Sequence, residues 1–178
     1  MSTDPRVHPP LDGDEAPQLH AFLDYHRATL LRKIDGLDAA GLAQPLAPST
    51  MTLGGLVKHL AGVEDSWFSV VLHGHEPALP WRDVDWDADQ DWEWHSAADD
   101  SPDELRALLG AAVERSRELT AGLSLDTLSV RRLRGVDRPA TLRWILLHML
   151  EETRRLLGLM EAVRALLLAD AVAGRPQR

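Results

Sequence analysis

The feature that most restricts the fold is the run TLRWILLHMLEETRRLLGLMEAVRALLL at residues 141–168. It is long, carries one internal glycine, Gly158, and repeats apolar residues at three- and four-residue steps. That periodicity predicts one long helix, capped by Thr141, against which the rest of the chain packs. At roughly 100° of rotation per residue, His148, Glu152, Leu156 and Leu159 fall within an arc of about 80°. The stripe turns from polar to apolar along the helix, so it faces either a core or a pocket.

Three further helices follow from the same spacing. The first opens near Pro17 and closes near Gly36, with Leu19, Phe22, Leu23, His26, Leu30 and Ile34 inward and Arg27, Arg32 and Lys33 toward solvent. The second starts at an N-cap offered by Ser49 or Thr50 and runs to about His73. Gly54 and Gly55 in its first turn each cost about 1 kcal/mol relative to alanine, which implies that another backbone comes close there. The third begins at Ser101, Pro102 and Glu104, a serine cap, a proline at the first helical place and a glutamate able to reach back. It extends to about Ala121, with Leu105, Leu108, Leu109, Ala112, Val113 and Ser116 inward.

Residues 124–130 read as a short helical turn, and RRLRGVDRPA as a basic linker carrying Arg131, Arg132, Arg134 and Arg138, solvated or turned toward an acidic partner. No stretch alternates as a strand does. The expected architecture is all-α, a four-helix bundle with a long crossing loop between helices two and three. An N-terminal arm at 1–16, a single bundle domain at 17–170 and a frayed tail at 171–178 complete the division.

Composition narrows the function classes. The 178 residues include no cysteine, which excludes disulfides and thiolate chemistry, and the net charge of −9 disfavours nucleic acid and anionic membranes as partners. The opening MSTDPRVHPPLDGDEAP has no basic start followed by an apolar segment, so a cytoplasmic protein is expected. The crossing loop at 74–100 is unusual: Trp81, Trp86, Trp92 and Trp94 stand among acidic residues. Its carboxylates do not follow the EF-hand order. The simpler reading is a loop that tucks tryptophans onto the bundle and leaves carboxylates in water, and the functional alternative is a cover over one end.

Two motifs carry a family resemblance. VKHLAGVEDSWF at 57–68 together with LRWILLHMLEET at 142–153 resembles the DinB/YfiT-like four-helix superfamily, especially its actinobacterial branch of mycothiol-dependent-enzyme-like domains. The likeness spans about residues 19–168. It implies a divalent metal held by three histidines, one in KHL of the second helix and two in an EETxRHxGH run of the last. The first of these positions is His59, whereas the other two are occupied by Leu156 and Leu159. Leucine offers no donor atom, so no ordinary metal centre and no cofactor is expected.

Three readings of function follow. One is a metal-free pocket formed by His59, Val63, Trp67, Trp144, His148, Glu152, Leu156 and Leu159, with Glu64 nearby, that takes a small hydrophobic ligand or supports acid–base chemistry through His59 or His148. Another is a non-catalytic interaction module, paired as the homodimer that the resemblance implies. The third is a metal-dependent enzyme, with the thiol-dependent transferase or isomerase activity of its relatives, using His59, His148 and Glu152 as ligands.

Overall fold

The computed structural model describes residues 6–45, 49–133 and 135–173, with 166–173 by backbone alone. The start of the arm, Pro48, Arg134 and the tail beyond residue 173 lie outside the described residues. In chain order the elements are α1 (Glu15–Lys33), α2 (Ala39–Ala43), α3 (Leu53–Glu64), a π-helical stretch (Asp65–Leu72), a 3₁₀ turn (Trp81–Asp83), α4 (Trp92–Ser96), α5 (Pro102–Thr120), strands β1 (Leu128–Arg132) and β2 (Pro139–Thr141), and α6 (Leu142–Ala173). The molecule is mostly helical, as its periodicity predicts. Helix α1 packs along α6, and α3 packs against both α5 and α6.

Local chemistry explains where the long helices begin. Thr52, rather than Ser49 or Thr50, caps α3 by accepting a hydrogen bond from the Gly55 N–H at 2.9 Å. Ser101 and Glu104 form the reciprocal capping box expected for α5. Thr141 Oγ1 accepts from the Trp144 N–H at 3.2 Å at the start of α6. Between the helices, Leu23, Leu30, Leu56, Leu60, Leu105, Leu109, Ile145 and Met149 are fully buried. Each such side chain stabilises the bundle by about 1.5–3 kcal/mol relative to exposure.

On α1 the inward stripe differs from the expected one. Leu23, Arg27, Leu30 and Ile34 form the buried line, while Phe22 is 46 % exposed. Arg27 is buried because its guanidinium has a partner across the core: Nε and Nη2 donate to the two carboxylate oxygens of Glu64 at 2.7 and 2.5 Å. Apolar spacing alone cannot register a position that is buried through its charge.

The segment after α5 also departs from the helical turn and linker expected there. Leu128–Arg132 and Pro139–Thr141 pair antiparallel as a small hairpin, with an irregularity in register between Leu128 and Arg132. Its alternation is inverted: Leu128 and Val130 are 57 % and 70 % exposed, whereas Ser129 is buried. Ser129 Oγ accepts from the Ala140 N–H and donates to the Arg131 carbonyl, so the inner face of this strand is polar. Arg131 and Arg132 reach backbone carbonyls of His75 and Asp137.

Candidate functional site

Gly55, His59 and Gly62 occupy α3 at spacings of four and three, and therefore share one helical face. The crossing segment lies directly on that face. A Cβ added at Gly55 would sit 2.4 Å from Trp94 Cε3 and 3.1 Å from Trp94 Cα; one added at Gly62 would sit 2.6 Å from Trp81 Nε1 and 2.8 Å from Glu93 Oε1. The two glycines are the clearance that lets Trp81, Glu93 and Trp94 close over His59. Gly54, one residue earlier, gives similar room to the Leu42 carbonyl, 3.3 Å from its virtual Cβ.

His59 is held from two sides. Its Nδ1 lies 2.6 Å from Glu93 Oε2, and its ring packs on Trp94 with centroids 5.4 Å apart. A carboxylate can only accept, so Nδ1 carries the proton and Nε2 keeps the lone pair of the neutral imidazole. Nε2 faces Glu152 Oε1 on α6 at 3.7 Å, too far for a hydrogen bond. The other Glu152 oxygen receives the guanidinium of Arg155. Glu93 Oε1 in turn accepts from Trp81 Nε1 at 3.1 Å. Next to His59, the buried Lys58 donates to Asp100 at 2.5 Å and lies 4.7 Å over the Trp92 ring, so adjacent residues of α3 fasten the same segment.

Replacing Gly62 by alanine is expected to break the Trp81–Glu93 hydrogen bond and push the segment off α3. Overpacking of this kind costs about 1–3 kcal/mol. Denaturant melts should show the loss, with a red-shifted tryptophan emission; an unchanged midpoint and spectrum would refute the packing described.

The remaining sequence-derived residues divide into groups. Trp67 of the π-helical stretch packs on His148 and Trp144 of α6, with centroids 4.5 and 5.5 Å away, and Trp144 stacks on His148 at 5.2 Å. Burial holds the His148 imidazole below its ordinary pKa; Arg155 adds to the effect and Glu151 opposes it. Leu156 is buried in the core and Leu159 packs partly buried against it. Val63 lines a cleft beside Trp81. Thus Glu152 is brought to His59, whereas His148 belongs to the tryptophan cluster.

Glu93, Trp81 and Trp94 were absent from the expected pocket. Their signal in the sequence was the pair of glycines seven residues apart that flanks His59 on α3. The crossing segment meets the simpler expectation in part, since its tryptophans do pack on the bundle. Glu93, however, turns inward to the histidine.

A comparison with known protein families matches residues 18–169 to the family described as mycothiol-S-transferase. The chain belongs to the mycothiol-S-transferase family, one of the DinB/YfiT-like families. No curated protein matches the chain at a significant level. The match takes in α3, the crossing segment and α6 as far as residue 169, so every group around His59 lies within the family domain. Among the described residues of this family member, no helix is long and apolar enough to cross a membrane. The described residues also contain no group of three or more His, Asp or Glu side chains placed to hold a metal ion.

Proposed function

We propose that this member of the family works without the three-histidine metal centre, as a small-molecule-binding protein or divergent enzyme in which His59 is the proton-carrying group. Membership suggests a metal-dependent, thiol-transferase-like activity. The donors beside His59 suit that chemistry poorly. A catalytic zinc site usually has three protein ligands, and here His59 Nε2 faces a single carboxylate whose second oxygen already holds the cationic Arg155. Leu156 and Leu159 stand at the aligned ligand positions.

The observation that carries the reading is the Glu93–His59 contact at 2.6 Å. Glu93 fixes the tautomer and ring orientation, so Nε2 can take a proton from a bound molecule and the resulting imidazolium lies between two carboxylates, Glu93 and Glu152. The indole of Trp94 and the hydrocarbon side chains of Leu156 and Leu159 suit a mostly apolar ligand. The same composition supports a cytoplasmic setting, since the chain needs no oxidised cysteine. The test is elemental analysis of untagged protein produced with zinc and nickel supplied. The expected result is far less than one metal ion per chain; a stoichiometric ion that is lost in His59→Ala would overturn the proposal.

A homodimer is favoured by a second observation. Trp144 and Leu147, three residues apart on α6, are 44 % and 50 % exposed, and Trp144 shares a shallow depression with Val136 and Leu133 of the hairpin. We assign this apolar face to self-association. A monomeric mass in sedimentation equilibrium across the micromolar range would remove that assignment.

A further inference from the structure

A second feature of the crossing segment lies on the far side of Glu93 from His59. A cleft of 270 Å³ opens there, lined by Gly62, Asp65, Ser66, Trp81, Trp86 and Glu93 among others. Both charged residues of its lining are acidic. The oxygens of Glu93 are engaged, one by His59 and the other by the Trp81 N–H. Asp65 differs. It is 5 % exposed, its Oδ2 accepts from the Ala78 N–H at 2.8 Å, and its Oδ1 is buried with no hydrogen-bond partner in the protein. A buried carboxylate oxygen without a donor is costly, so this position calls for one.

The chemistry of the walls selects the donor. A hard metal ion needs six or more oxygens, and one open carboxylate oxygen falls well short. A neutral hydroxyl would fill the hydrogen bond and leave two negative charges facing indole walls. An ammonium group supplies both the N–H and the charge, and indole faces attract cations. The segment already shows this preference where Lys58 Nζ sits 4.7 Å over Trp92. The space is adequate, since a cavity of about 150 Å³ admits benzene.

We propose that this cleft binds a small organic ammonium ion, a primary or secondary amine with an apolar body, whose N–H donates to Asp65 Oδ1 while the body lies against Trp81 and Trp86. The proposal deepens the small-molecule reading by naming a ligand class. It does not require the metal-free part of that reading, because metal content and amine binding are measured separately.

The test titrates benzylammonium into the full chain at neutral pH by calorimetry, with benzyl alcohol as the neutral counterpart and calcium chloride as the metal control. The expected result is saturable binding of the amine, weaker by about tenfold or more for the alcohol and for Asp65→Asn, with no calcium uptake. The asparagine keeps an acceptor for the Ala78 N–H and presents an amide in place of the charge. Trp86 is 40 % exposed, so Trp86→Ala leaves the fold intact and is expected to weaken the amine severalfold. Absence of amine binding, equal affinity for the alcohol, calcium competing with the amine, or unchanged binding in Asp65→Asn would overturn the proposal. Should Asp65→Asn not fold, unchanged binding in Trp86→Ala does so.

Discussion

Glu64→Ala is expected to destabilise the bundle by about 3–5 kcal/mol, the usual loss when one partner of a buried ion pair is removed and the other is left uncompensated. Glu64 is fully buried and Arg27 is 4 % exposed, and the pair is bidentate. Asp24 would remain as a contact to the guanidinium through Nη1 at 2.8 Å, but it is bonded on the opposite side from the vacated carboxylate. The loss is a large share of a typical domain's stability. The consequence reaches the site, because Glu64 closes α3 where the π-helical stretch begins, and Asp65 and Trp67 depend on that junction for their direction. Urea unfolding checks the prediction, and a change below about 1 kcal/mol would refute it. The companion Arg27→Met with Glu64→Leu should recover much of the loss, since a packed hydrophobic pair is often as stable as a buried ionic one.

This pair also marks where the sequence stopped being informative. Helix spacing, the Ser101 capping box and the length of α6 are local properties, and each could be read from a few neighbouring residues. Arg27 could not, because its burial depends on Glu64, thirty-seven positions away. The hairpin failed for a related reason: its inner face is built around Ser129, whose hydroxyl satisfies two backbone groups, so no apolar alternation announces it. At the site, the motif around His59 was plain in the sequence, and so was the arc that places Glu152 with Leu156 and Leu159. Glu93 was hidden among many acidic residues of the crossing segment. Only the tertiary approach permitted by Gly55 and Gly62 distinguishes it from the others.

Converting Leu156 and Leu159 together to histidine is expected to create a metal site where the native chain has none. Residues 156 and 159 lie three apart on α6 and therefore share a face, one and two turns beyond Glu152. His59 is ready to act as the remaining ligand: its Nε2 has no hydrogen-bonded partner nearer than Glu152 at 3.7 Å, and Glu93 on Nδ1 is the kind of carboxylate that orients metal-bound histidines. Without metal the double variant should be less stable than the parent, because the core loses about 1.5–3 kcal/mol per buried leucine and gains imidazoles in apolar surroundings. With zinc or nickel it should take up about one ion per chain and regain stability in proportion to the logarithm of free metal over its dissociation constant. Each single variant supplies one ligand fewer and should bind far more weakly. Elemental analysis and metal-dependent thermal melts read both effects. A folded double variant that takes up no metal would show that 156 and 159 are not the ligand positions, whereas equal uptake by the parent would show that the native donor set already suffices.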